Sequence, residues 1–137
     1  PAAEVLQLRG ERHDFLSTNG SIRTSPACEV RLTLPGVPVG HVSLTWANAL
    51  SITWDGAALH LTAGDRQSAG TLPGDPLDEF DLRIFIDHSV VEVYLSDRIV
   101  MSTRVYTDLN NWDVCELAVA DDAPVPVTVW SIGSIWT

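Results

Sequence analysis

Apolar residues recur at every second position through most of this chain, and the three-and-four spacing of an amphipathic helix is missing, so strands with one face in a core are expected. From Glu29, the residues Val30, Leu32 and Leu34 alternate with Arg31 and Thr33 until Pro35-Gly36 signals a turn. Alternation returns in Val42, Leu44 and Trp46, and again in Leu50, Ile52 and Trp54, each set opposed by Ser and Thr. Asp55-Gly56 suits a hairpin turn, because both residues tolerate positive φ. The return strand carries Leu59 and Leu61, with His60 facing the opposite way towards solvent, and runs out at Ala63-Gly64. The longest system spans Leu82 to Tyr106: Leu82, Ile84 and Ile86, a tight break at Asp87-His88-Ser89, then Val91, Val93 and Leu95, a turn at Ser96-Asp97, and a strand from Ile99 to Val105. Runs from Cys115 to Ala120 and from Val125 to Ile135 bring the total to about nine short strands, a frequency of turns that points to an antiparallel sandwich or barrel. No repeat of propeller-blade length and no low-complexity linker interrupts residues 1–137. One all-β domain, a two-sheet antiparallel β-sandwich of jelly-roll or concanavalin-like type, accounts for the whole chain.

Composition narrows the partners. With 137 residues, 45% of them apolar, the chain is long enough for a real core, and no apolar run is long enough to cross a bilayer as a helix. Its formal charge is −10, lysine is absent and the arginines are scattered, so neither nucleic acid nor an anionic membrane surface is an expected partner. A neutral ligand such as a sugar meets no such opposition. The chain starts at Pro1 without an initiator methionine, and is expected to be a piece of something longer.

The stretch Leu82-Arg83-Ile84-Phe85-Ile86-Asp87-His88-Ser89-Val90-Val91-Glu92-Val93-Tyr94, continuing to Ser102-Thr103-Arg104-Val105-Tyr106, resembles the C-terminal module of glycoside hydrolase family 32, the invertases, levanases and inulinases. Asp65-Arg66 after the Leu59 to Thr62 strand, and the closing Val129-Trp130-Ser131-Ile132 with Ile135-Trp136, are similar to the same family. Two turns depart from its pattern: His88 stands where arginine is common, and Ser96-Asp97-Arg98 where the family often has Asn-Asp-Gly. The resemblance implies a retaining β-fructofuranosidase in two parts, with a catalytic five-bladed β-propeller upstream and this sandwich packed beside it. That propeller is the implied partner, with a fructan or sucrose and a homo-oligomer as further possibilities. No cofactor is implied. The family's catalytic motifs do not map here: Gly74-Asp75-Pro76 lacks the arginine of Arg-Asp-Pro, Cys115-Glu116 reverses Glu-Cys, and Asn-Asp-Pro does not occur.

No catalytic residue is therefore assigned. Asp87 and Glu92 flank one hairpin, and a retaining glycosidase holds two carboxyls about 5 to 5.5 Å apart, but a turn aspartate and a strand glutamate paired with Arg83 or Arg104 account for both. The histidines at 13, 41, 60 and 88 lack metal-ligand spacing and belong on the surface or in turns, so no metal site is expected. Cys28 and Cys115 are read either as small buried thiols or as a pair, should their strands be neighbours.

Five tryptophans carry the remaining interest, since an indole fills a core or stacks on a sugar. Trp46 and Trp54 are in phase with the aliphatic faces of their strands and belong to the core. Trp130, Ile132 and Trp136 fall in one phase while Val125, Val127 and Val129 take the other. Either that terminal strand offers its second face to another domain, or Gly133 forms a bulge that returns Trp136 to the core. Trp112, in the loop Asn110-Asn111-Trp112-Asp113, is the candidate for sugar stacking, and the competing role is a lid over the sandwich edge.

Overall fold

In a computed structural model, the described residues are 9–17, 19–35, 41–47, 49–55, 58–71, 79–96, 99–107, 109–120 and 125–132. They form β1 (Arg9–Ser17), β2 (Gly20–Arg23), β3 (Ala27–Pro35), β4 (Val42–Trp46), β5 (Leu50–Trp54), β6 (Ala58–Ala63), β7 (Arg66–Thr71), β8 (Glu79–Asp87), β9 (Val90–Leu95), β10 (Ile99–Arg104), β11 (Val114–Val119) and β12 (Val125–Ile132). A 3-10 turn over Leu109–Trp112 precedes β11.

The strands pair antiparallel into two six-stranded sheets, ordered β1-β12-β3-β8-β9-β10 and β2-β11-β4-β5-β6-β7. The expected sandwich is what forms, and alternation is why. On β4 and β5 the even-numbered residues are buried and the odd-numbered ones half-buried, so Val42, Leu44, Trp46, Leu50, Ile52 and Trp54 all enter one core. From the opposite sheet, Val30 and Leu32, Leu82, Ile84 and Ile86, and Val91, Val93 and Leu95 enter the same core. Tight hairpins preserve this phase across neighbours. Asp87 pairs with Val90 around a two-residue turn in which His88 takes φ +58°, and Leu95 pairs with Ile99 around a turn opened by Ser96 at φ +48°. Asp55 closes the β5–β6 turn, its Oδ1 accepting the Ala58 N–H at 2.7 Å.

The alternating pattern predicted the central strands and missed three: β1, β2 and β7. All three are outermost in their sheets. An edge strand makes one ladder rather than two and needs little apolar surface, so β7 (Arg-Gln-Ser-Ala-Gly-Thr) is largely exposed and shows no period to read. At Gly70 the two sheets close on each other: a Cβ there would lie 3.3 Å from Ile99 Cγ2 of β10.

Cys28 on β3 and Cys115 on β11 are free, buried thiols in the common core, on different sheets. Burial pushes the Cys28 thiol up to about 11 and raises Cys115 further. Neither thiol reacts with a disulfide reagent in the folded protein, and both react after unfolding in urea; fast labelling of the native state would contradict this. The sign of the linked pH effect follows from the raised folded values. Both thiols are neutral in both states below the ordinary thiol value of 9.0, and their contribution to stability is lost as pH climbs from there towards about 11. Urea midpoints measured across that alkaline range fall in wild type and fall less in Cys28→Ala.

Candidate functional site

The face of the β1-β12-β3-β8-β9-β10 sheet turned away from the core carries Trp130 and Glu92, two of the side chains that sequence alone singled out. Register sets its central row: Arg12 lies opposite Trp130, Trp130 opposite Glu29, Glu29 opposite Phe85, and Phe85 opposite Glu92. Trp130, Glu29, Phe85 and Glu92 each alternate with a core residue on their strand, so the row faces outward as a consequence of Val129, Val30, Ile84 and Val93 facing inward. The Arg12 guanidinium carbon sits 5.3 Å from the Trp130 ring centroid, a cation–π contact that leaves the indole only 6% exposed. Glu29, beside it, is fully buried.

Polar networks hold the neighbouring rows. Arg31 donates to Asp81 through both Nε (3.2 Å to Oδ1) and Nη2 (2.6 Å to Oδ2), and Arg83 Nη2 stands 3.8 Å from the same carboxylate. Asp81 is further tied to the β9–β10 turn, donating its backbone N–H to Ser96 Oγ and accepting the Ser96 N–H. Arg12 Nε donates to both oxygens of Asp14, and Thr128 donates to Oδ1 at 2.6 Å. The Thr128 hydroxyl and then the Arg12 guanidinium hold the Asp14 carboxyl below its ordinary value. These half-exposed pairs stabilise little individually, and their effect is to fix several charged side chains in place on the outer face of the sheet.

The two carboxylates weighed as a catalytic pair have separate structural partners. Asp87 Oδ1 lies 2.7 Å from His88 Nδ1, and Tyr94 donates its phenol proton to Glu92 at 2.5 Å, which raises the Tyr94 value. The partner of Glu92 is thus a tyrosine two residues on, not Arg83 or Arg104. The four histidines are exposed, and no group of metal-ligating side chains occurs among the described residues.

Trp112 requires correction as a stacking candidate. The 3-10 turn folds its indole inward to full burial, where it meets Trp46 edge-on at 6.3 Å between centroids. Thr24 fastens the arrangement, its hydroxyl donating to the Trp112 carbonyl and accepting Trp46 Nε1 at 3.0 Å. An indole with no face in water cannot receive a sugar, so the lid role is the one the fold uses. Trp130 stands on the outward face, where Arg12 covers it. Ile132 ends β12, its side chain is outside the described residues, and Trp136 lies outside them altogether. Sequence reading assigned no site role to Tyr106, which is 80% exposed just beyond β10.

Comparison with known proteins places this architecture. The family described as glycosyl hydrolases family 32 C terminal matches residues 41–131. No curated protein matches significantly. Among solved structures, a sucrose-6-phosphate hydrolase from Lactobacillus gasseri is similar at TM-score 0.77 and 21% identity, covering 98% of this chain and 30% of that one. An exo-inulinase from Aspergillus awamori is similar at TM-score 0.75 and 15% identity, covering 96% and 31%. The galectin LEC-6 of Caenorhabditis elegans shares the sandwich at TM-score 0.58 and 13% identity, covering 88% and 96%. The chain therefore spans under a third of the length of each hydrolase.

Replacing Trp112 tests its structural role. Trp112→Ala lowers the unfolding free energy by about 3 to 5 kcal/mol, from the cavity and lost contacts. Trp112→Phe costs less, because Trp112 Nε1 has no hydrogen-bond acceptor to lose among the described residues. Equal losses in urea denaturation would mean that the indole N–H matters more than its bulk.

Proposed function

The chain belongs to the glycosyl hydrolases family 32 C-terminal family, and on that premise we propose that it is the non-catalytic module of a β-fructofuranosidase-type enzyme, packing beside and stabilising a catalytic propeller in the same polypeptide. The observation that supports this most is coverage: nearly all of this chain corresponds to a minor part of each hydrolase, which leaves the larger part of those proteins to other residues. The absence of Asn-Asp-Pro, Arg-Asp-Pro and Glu-Cys from these 137 residues favours the same division of labour.

The outward face built on Arg12, Trp130, Arg31 and Asp81 is the docking surface in this reading. Interfaces between domains of one chain are more polar than obligate ones, and they work best when their charged groups are already held in place. Trp130 under Arg12, and Asp81 between Arg31 and Arg83, meet both conditions. The enzyme served would cleave sucrose or a fructan.

Two measurements test the reading. The isolated chain releases no fructose from sucrose or inulin, and hydrolysis abolished by Glu92→Gln would overturn the non-catalytic assignment. In the enzyme encoded with this module, deletion of residues 1–137 shortens the half-life at elevated temperature several-fold. An unchanged half-life would refute the stabilising role.

A further inference from the structure

An open cleft of about 510 Å³ lies at one end of the sandwich, between the β4–β5 and β6–β7 turns of one sheet and the segment that leaves β10 in the other. Its volume is in the range of small-molecule sites. Asp65, Arg66, Arg104, Tyr106, Thr107 and Asn111 contribute its polar and aromatic lining. The two turns bend sharply to form the rim, with Ala47 at φ +46° and Gly64 at φ +59°.

What singles this cleft out is the state of its side chains. Elsewhere the charged groups described above are tied to each other, but no ion pair or hydrogen bond among the described residues engages the side chains of Asp65, Arg66 or Arg104. Asn111 donates its amide to Thr107, which fixes that pair and leaves the amide oxygen as an acceptor. Tyr106 presents its ring to water. Guanidinium donors, a carboxylate acceptor and an exposed aromatic face make up the inventory needed to hold a ring bearing several hydroxyl groups.

The cleft also continues. A second depression of about 230 Å³ shares Ala47 and Gly64 with it and runs over Thr45, Ser51 and Thr62. These three lie directly opposite one another on β4, β5 and β6, on the face away from the core. Their hydroxyls thus follow one another at the strand spacing of about 4.8 Å, close to the span of one sugar ring.

We propose that the end cleft and the threonine–serine row beside it bind an uncharged oligosaccharide, with Tyr106 stacking on one ring and Asp65, Arg66 and Arg104 bonding its hydroxyls. Asp65 within the site and a formal charge of −10 on the chain both disfavour an anion such as phosphate. The row lies on the sheet opposite to the one that carries Trp130, so the site does not depend on the docking reading and stays accessible if that face is covered.

Titration of the full chain followed by amide NMR tests this, using nystose, maltotriose, cellotriose and inorganic phosphate as separate probes. Saturable shifts with at least one neutral trisaccharide or tetrasaccharide, confined to residues around Ala47, Gly64–Arg66 and Arg104–Thr107, are expected. Tyr106→Ala and Arg104→Gln should each weaken that binding by roughly tenfold. Both residues are exposed, so unchanged thermal midpoints will show that the fold is intact. Three results overturn the proposal: no saturable shift with any of these sugars up to roughly 50 mM, shifts with phosphate alone, or sugar binding indifferent to Tyr106→Ala.

Discussion

The gap between two sheets is the constraint on which everything else in this molecule depends. Each strand must deliver every second side chain into that gap, and each delivered side chain must find a partner from the opposite sheet at close-packed density. Trp46, Trp54 and Trp112 supply bulk at one sheet, Val, Ile and Leu residues fill from the other, and two cysteines are buried among them. Once the inner faces are committed, the outer faces follow without further choice, since a residue beside an inward one must point out. Arg12, Trp130, Glu29 and Phe85 form a row for that reason, and so do Thr45, Ser51 and Thr62 on the other side.

That logic explains what sequence could and could not disclose. Central strands carry ladders on both edges and an apolar inner face, so β3 to β6, β8, β9, β11 and β12 write their period plainly, while the outermost β10 is legible as the return strand of the hairpin from β9. The outermost β1, β2 and β7 are held by one ladder and carry polar side chains, and nothing local distinguishes β7 from a loop. Trp112 was ambiguous for a related reason: it lies in a segment without period, and its burial is decided by Trp46 and Thr24, which are distant along the chain.

Functional surface was less legible than fold. Periodicity says which positions face outward and is silent on which outward residues meet. The bidentate contact of Arg31 with Asp81 joins neighbouring strands that are 50 positions apart in sequence, and the cation–π contact over Trp130 joins the first strand to the last. Asp65, Arg66, Arg104 and Tyr106 are likewise brought to one cleft by a turn and a strand end, and although all four fall in family-like stretches of the sequence, nothing in those stretches says that they meet. The family resemblance, by contrast, sits chiefly in the consecutive strands β8 to β10 and needs no tertiary information to be seen.

The pairing of β1 with β12 bears on how this sandwich would respond to force. Arg9, where β1 is first described, lies opposite Ile132, the last residue of β12, so the chain enters and leaves this antiparallel pair at the same end. A tension applied between those two points loads one rung of the ladder at a time, as in opening a zip, and does not shear all rungs together. The sandwich is therefore mechanically soft along this axis, and β1 would peel from Trp130 and its neighbours while the rest of both sheets stayed closed.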